Sequence, residues 1–587
     1  DLATGKPDPA WPVNGVAVCQ TGYHAERPRI AGTVDGAYMT WVDYRNDPGY
    51  APRDRDIYVQ YINSATATWP PAPTNWTANG IPVATNQPPD QINPELAVDN
   101  IFTLDLLGNL TQGVVVTYQD DRYPGATFGT PVWSVFANRI DANGVQMYTA
   151  GVPPFQADVA AGSSFENQEL PRLVTTGQLA QAPNPSAVIV WQDAVQNPTL
   201  GYTDIYAQRL DQFGNPLFPG MNGLSVCQAP QGQTIPIPTL WESGDPSLGT
   251  YVPYVTIGWE DRRNVQQGGV DIYAALVDAT SPGALVNPQG ISGEPVCTLP
   301  YDQTQLSMDN LYHANTGQEY SIFVWTHQTA TGRDIRFQKV MLPAWMEMYQ
   351  PDGKEVTGAK SDQILPQANR EVFVWQDGRR DPIPHDDQDD ENIYCQTPGM
   401  CTGPTDMKWR DVFAKWTYGR DAREFRHAVN PDDGSTFVVW TEDRQVYPSS
   451  MHSIVFIQKL DKDGVPRWSN NGVAVNGYYN NQQGSTSAAG LPDVCIANTG
   501  GAFVVWQQSV FQDATKQECP GAKFDAMGNA TYILFSWSWN VPPKSESYTE
   551  PRIVSGSNGA AAVAVLKDDR PLGGTRNVPI VDALSAS

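Results

Sequence analysis

The sequence predicts an all-β chain folded as a single closed β-propeller of about nine four-stranded blades, with eight as the smaller alternative. Three observations predict it. An aromatic–acid–arginine signature recurs through the whole chain at a nearly constant spacing. Each recurrence sits in the same order of short strands and Asp/Gly turns, and the two ends of the chain supply complementary parts of one unit.

The signature stands at the end of a strongly apolar run. Its copies are "WVDYR" at Trp41, "YQDDR" at Tyr118, "WQDAV" at Trp191, "WEDRR" at Trp259 and "WTHQT" at Trp325. They continue as "WQDGR" at Trp375, "WTEDR" at Trp440, "WQQSV" at Trp506 and "LKDDR" at Leu566. An acid stands two places after the lead residue in seven of these nine copies and Arg four places after it in six, so the pattern belongs to the scaffold. The steps between lead residues are 77, 73, 68, 66, 50, 65, 66 and 60. The short step of 50, ending at Trp375, is what keeps eight blades open.

Within each unit a short strand such as "PRIAG" or "PRLVT" comes first, and the apolar strand with the signature is second. A variable loop leads to a third strand, "DIYVQYI", "DIYAQRL", "DIYAALV" or "NIYCQTP". An Asp/Gly turn follows ("IDANGVQ", "LDQFGNP", "LDKDGVP", "FDAMGNA"), then a fourth strand such as "NGLSVCQ". Side chains alternate along a strand, so lead Trp, Asp and Arg share one face. The Trp is expected to pack between adjacent blades, with Asp and Arg paired to each other or to the next blade. The copies "WTHQT" and "WQQSV" lack both acid and Arg and need another local pairing.

The last unit supplies three strands before the chain stops, and "WPVNGVAVCQ" near the other terminus reads as its missing fourth. From Leu566 through the termini to Trp41 is 62 residues, again one period. Residues 1–587 are therefore divided as one propeller, with 1–25 as the closing outer strand. The blades are 26–91, 92–168, 169–234, 235–304, 305–363, 364–426, 427–487 and 488–550, and 551–587 gives the inner strands of the last blade. A blade shared by both termini leaves no free sheet edge.

With W-x-D-x-R, D-I-Y-x-Q and L-D-x-x-G in each blade, the chain resembles the secreted bacterial β-propeller repeat proteins. The resemblance covers essentially the whole chain. It implies the fold and an exported protein, and it leaves the activity open, because such propellers carry many functions.

Composition narrows the partners. Lys+Arg total 37 against Asp+Glu 63, a formal charge of −26, so the surface repels nucleic acid and anionic membrane. No apolar run approaches the ~20 residues of a membrane helix. The chain opens on the polar "DLATGKPDPAW", so an extracellular or cell-surface protein would be a mature form after signal-peptide removal. Of seven cysteines none forms a zinc-type or haem-type pair. Cys395 and Cys401 enclose a Pro-Gly turn and are expected to form a disulfide, and Cys495 with Cys519 is a second candidate. The pairing of Cys19, Cys227 and Cys297 is open.

A four-stranded meander puts the Asp/Gly turns on one face and the variable second-to-third-strand loops on the other. Loops on a rigid scaffold are where specificity resides, so Arg45, Tyr50, Tyr123, Tyr202, Arg263 and Tyr447 are the candidate binding residues. One such loop carries Asp386, Asp387, Asp389, Asp390 and Glu391, beside His385. Five carboxylates this close repel unless solvated or bridged, and Ca²⁺ is the cation their hard oxygens would take. The EF-hand spacing fails there because Asn392 stands where Gly is required. No cofactor is required by any motif, and no catalytic residue is singled out: HExxH, G-x-S-x-G and a complete Asp-box are all missing from the sequence. The expected function is an extracellular non-enzymatic binding or structural module. Its partner would be a protein or further copies of itself in a surface assembly, met through the variable face. The alternative is a carbohydrate-binding or carbohydrate-active protein with its site at the central channel.

Overall fold

The computed structural model describes residues 16–584 apart from loop segments. The longer of these are 47–54, 70–73, 85–89, 105–109, 125–130, 149–158, 161–166, 178–184, 198–201, 358–361, 379–391, 397–409, 412–421, 476–488, 534–546, 556–560 and 569–576. The described residues form nine antiparallel sheets, each with a run of four strands in meander order, and one further two-stranded pair. Blade 6, which follows the short step, is a full sheet: Gln363–Asn369, Val372–Asp377, Asn392–Gln396 and Arg410–Asp411.

The innermost strands are Ala25–Gly32, Gln91–Val98, Gln168–Thr175, Gln233–Ser243, Gln303–His313, Gln363–Asn369, Ala422–Val429, Ala489–Ala497 and Ser547–Ser555. Each lies against the innermost strands of the blades before and after it, and the ninth lies against the first, so the ring closes. Closure uses both ends of the described chain. Val16–Ala17 pairs antiparallel with Asn577–Leu584 as the outer strand of blade 9, with Val16 opposite Val581.

Eight of the nine seams between blades are apolar layers keyed by the lead aromatic, and the seam of blades 8 and 9, where the lead residue is Leu566, is apolar without one. Trp191 packs with Val115, Val135 and Ala137 of blade 2. Trp259 packs with Val190, Ile205 and Ala207 of blade 3, and Trp375 with Ile322, Val324 and Phe337 of blade 5. Trp41 meets Val18 and Ala564 of the closing blade. The Trp therefore sits between blades, as the strand pattern requires. Losing such a buried ring costs about 3–5 kcal/mol.

The third strand and its turn repeat one hydrogen-bond set. Asp211 Oδ1 accepts the N–H of Phe213 at 2.8 Å and of Asn215 at 2.9 Å. Asp141, Asp461 and Asp525 do the same at their own turns. Gly214 completes the turn at φ 86°, a region open to Gly at little cost. The Gln of D-I-Y-x-Q then fastens the outer segment: Gln208 accepts the Phe218 N–H at 2.9 Å and Gln60 donates to Thr77 O at 2.7 Å.

Every innermost strand also carries a bulge. Its register against the second strand shifts near the third residue in all nine blades. The residues there include Arg27, Asn93, Leu170, Ile235, Gln305, Leu365, Glu424 and Leu491, all with φ between 48° and 58°. These are non-glycine residues in the left-handed region, which is uncommon and needs local support.

Candidate functional site

The variable-face end of each blade brings together the start of the inner strand, the end of the second and the start of the third. Ala25 stands opposite Asp43 and Asp43 opposite Asp56. At this end Asp43 collects five hydrogen bonds, one of them from Cys19 Sγ at 3.3 Å. Trp41 Nε1 donates at 2.8 Å, and Arg45 donates from its backbone N at 2.8 Å, Nε at 3.0 Å and Nη2 at 2.7 Å. The Arg45 guanidinium lies 3.5 Å from the centroid of the Tyr58 ring, which itself stacks beside Trp41. Blade 4 repeats this with Trp259, Asp261, Arg263 and Tyr273.

Arg45 and Arg263 are therefore committed to the scaffold. Each also reaches a cysteine on the outer strand of the preceding blade, Cys19 or Cys227, at 3.3 Å. Of the expected loop-face binding residues, these two arginines have their forks filled by an intrablade carboxylate and one face of their planes covered by a ring. Burial pushes the Cys227 thiol up to about 12, and burial with the Asp43 charge pushes Cys19 to about 11. Neither is a thiolate nucleophile.

Of the other expected binding residues, Tyr202 begins the third strand of blade 3, half-buried and paired with Asn197. Tyr123 and Tyr447 sit on strands opposite Val132 and Ser450, with side chains outside the described residues. Tyr50 and the whole acidic run Asp386, Asp387, Asp389, Asp390 and Glu391 also lie outside them. Among the described residues no group of three or more His, Cys, Asp or Glu is placed to hold a metal ion.

The expected disulfides are not formed among the described residues. Cys395 is a fully buried free thiol in the seam between blades 6 and 7, packed with Phe425 and Val438. Its strand position points it into the apolar layer. Cys401 lies outside the described residues. Cys495 and Cys519 share one apolar cluster but are not bonded to each other.

Blade 3 lacks the arginine of the signature, and the consequence is electrostatic. Asp204 stands directly opposite Asp193, is almost wholly buried, and its Oδ2 has no hydrogen-bond partner. In blades 1 and 4 the same position is served by an asparagine, Asn46 to Asp56 at 2.6 Å and Asn264 to Asp271 at 2.7 Å. Burial, with the charges of Asp193 and Asp261, pushes Asp204 up to about 7. In blade 5 the acid is replaced by His327, whose Nδ1 meets Gln303 Nε2 at 3.2 Å. In blade 8 Gln508 replaces it, accepting from Trp506 Nε1 at 2.8 Å and donating to Glu518 at 2.7 Å. These are the substitute pairings that the two irregular copies call for.

Around the axis, charged side chains join successive innermost strands. Glu95 accepts from Arg29 at 3.4 Å and from Arg172 at 2.7 Å, so one carboxylate ties blades 1, 2 and 3. Asp493 accepts the Ile553 N–H of blade 9 at 3.0 Å, and Asp309 accepts the Arg370 N–H of blade 6 at 2.6 Å. Glu424 accepts the Leu491 N–H of blade 8 at 2.7 Å. Sequence reasoning did not find this girdle. The trace it leaves in the sequence is an acid directly after the inner-strand proline, Glu95 after Pro94 and Asp493 after Pro492, which Asp309 and Glu424 do not share.

No protein-family model matches the chain, and no curated protein matches it in sequence. Solved structures that align with it include an α-L-arabinofuranosidase from Fusarium graminearum, at 12% identity over 59% of this chain and 92% of that one, TM-score 0.28. An α-L-arabinanase from Penicillium chrysogenum aligns at 11% identity over 60% and 92%, TM-score 0.27. An N-acetylgalactosamine deacetylase from F. plautii aligns at 13% over 61% and 91%, TM-score 0.22. Likeness at this level assigns neither activity nor ligand. The chain is a β-propeller by its own sheet order and closure.

Proposed function

We propose that the chain is an extracellular, non-enzymatic β-propeller that serves as a binding or structural module of a cell-surface or extracellular assembly. It meets a protein partner, or further copies of itself, through the variable loops. The observation that carries this reading is the commitment of the axial carboxylates. Glu95, Asp309, Glu424 and Asp493 are each spent on an arginine or an amide of a neighbouring blade. Glycoside hydrolysis needs two carboxyl groups facing each other across a substrate, one of them available to give up a proton. Carboxylates that hold blades together supply neither role. The charge of −26 agrees, since it disfavours nucleic acid and anionic membrane as partners.

The test is the solution mass of the protein purified from its native source under mild conditions, measured by light scattering. A stable particle well above the 64.3 kDa of one chain supports the module, and its co-purifying chains identify the partner. A lone 64.3 kDa species, together with turnover of a glycan substrate, replaces this reading with the carbohydrate-active one.

A further inference from the structure

Blades 4 and 5 depart from the other seven at the turn face, opposite the variable loops. Their innermost strands, Gln233–Ser243 and Gln303–His313, run 11 residues, whereas the others run 7 to 9. Both therefore carry a longer hairpin toward the Asp/Gly-turn side. Two rungs of these hairpins face each other across the seam. On the first, Thr239 Oγ1 donates to Asn310 Oδ1 at 3.0 Å and the hydroxyls of Thr256 and Ser321 meet at 2.7 Å. Those two contacts clasp the blades, and within blade 5 Ser321 donates to Asn310 Oδ1 at 3.0 Å, which holds the clasp residues in place.

One rung further out the clasp gives way to different chemistry. Trp241 is paired with Tyr254 on blade 4, and Tyr312 with Glu319 on blade 5. Side chains two residues apart on a strand share a face, so all four project into the same seam as the clasp. Trp241 and Tyr254 stack with centroids 5.0 Å apart at 16°, both half-buried. Trp345, from the outer turn of blade 5, packs against the same cluster. Tyr312 is 61% exposed and Glu319 only 5%. Two buried polar atoms here have no partner: Glu319 Oε2 and Asn310 Nδ2. Burial and the Asp309 charge push the Glu319 carboxyl up to about 7, so near neutrality it is able to donate as well as accept.

We propose that this seam is a binding site for an uncharged saccharide, held by the Trp241–Tyr254 platform and Tyr312 and hydrogen-bonded by Glu319 and Asn310. A pyranose or furanose offers an apolar C–H face to the rings and hydroxyls to a donor and an acceptor side by side. A purely apolar ligand would leave both polar atoms unpaired, at a cost that opposes binding. An anion would meet a carboxyl, and a metal ion would find one carboxyl among aromatic rings. This inference rests on the reading of the chain as a binding module. It places a ligand on the face away from the one that meets the partner.

The test is saturation-transfer NMR with cellohexaose, maltohexaose, xylohexaose and arabinohexaose at millimolar concentration against the full chain, wild type and variants. At least one oligosaccharide gives a saturable signal. Trp241→Ala weakens it tenfold or more, Glu319→Ala about fivefold or more, and Arg27→Ala leaves it unchanged. Tyr312→Ala, at an exposed position that cannot unfold the seam, weakens it too. No signal from any probe with the wild type overturns the proposal, because the site then holds water only. A signal that survives both Trp241→Ala and Tyr312→Ala also overturns it. The partner in the native particle is read independently by light scattering, so either idea can fail alone.

Discussion

The carboxylate of Glu260 accepts the backbone N–H of Gln305 at 2.8 Å, across the seam between blades 4 and 5. Glu260 is the residue between Trp and Asp in "WEDRR", and Gln305 is the left-handed residue of the next inner-strand bulge, φ 58°. Gln192 serves Ile235 in the same way at 3.1 Å, and Gln119 serves Leu170 at 3.4 Å. Where that residue is a shorter Thr, the link is relayed. Gln305 Oε1 accepts the Leu365 N–H at 2.9 Å while Thr326 holds it at 2.8 Å. The unusual backbone conformation at Leu170, Ile235, Gln305, Leu365 and Leu491 is thus supported by the blade before it. Glu260→Ala is expected to cost about 1–3 kcal/mol in chemical denaturation, and Glu260→Gln less than half of that. Equal losses in the two variants would remove the cap from the account.

Asp204 gives a pH prediction whose sign is set by its raised value. Its folded value is about 7 against an ordinary 3.8, so the native chain holds the proton better than the unfolded one. The associated stability is complete below about 4 and is lost as pH rises to about 7. Asn392 stands at the same place in blade 6, opposite Asp377. Asp204→Asn is therefore expected to match wild type at pH 4 and exceed it at pH 8 by on the order of 2–4 kcal/mol. Parallel stability-versus-pH curves for the two proteins would contradict this.

His327 works in the opposite direction. Burial first, and the Arg336 charge second, depress it from 6.5 to about 4. Its contribution is full above 6.5 and lost as pH falls toward 4. A His327→Gln variant should flatten the acid limb of thermal stability across that window by about 2–3 kcal/mol. An unchanged slope would mean that other groups set it.

Arg263 distinguishes a scaffold role from a binding role. Its guanidinium gives two bonds to Asp261 and lies flat, 3.8 Å from the centroid of Tyr273. Arg263→Ala leaves a buried carboxylate short of its cation, at a cost of about 3 kcal/mol. Arg263→Lys should recover less than half, because a lysine supplies neither the fork nor the plane. Thermal melts decide it, and a lysine variant as stable as wild type would speak for a plain surface charge.

How much of this was legible depends on what repeats. Trp41, Asp43 and Arg45 recur at fixed offsets on one strand face, so their inter-blade place could be read from alternation alone. Asp211 and Gly214 announced their turn by chemistry. The bulge caps were harder to see because the partner changes between Gln192, Glu260 and Thr326 while the geometry persists. Arg45 and Arg263 were readable as scaffold or as loop ligands, and the ring under each guanidinium is a contact that their spacing alone did not announce. The seam at Trp241 and Glu319 left almost no trace, since it depends on two hairpins being two rungs longer than their neighbours. Cys395 misled because a turn-flanked pair of cysteines resembles a bridge, whereas strand alternation turns this one inward.

The central claim is a ring closed by its own two ends. Val16–Ala17 completes blade 9, and the same segment delivers Cys19 to Asp43 and Arg45 of blade 1, each at 3.3 Å. Differential scanning calorimetry of the chain lacking residues 1–20, beside the full chain, tests it most directly. The account predicts a single transition lowered by at least several degrees, because the loss opens a sheet edge and the blade 9–blade 1 seam together. A truncated chain that melts at the temperature of the full one would contradict closure.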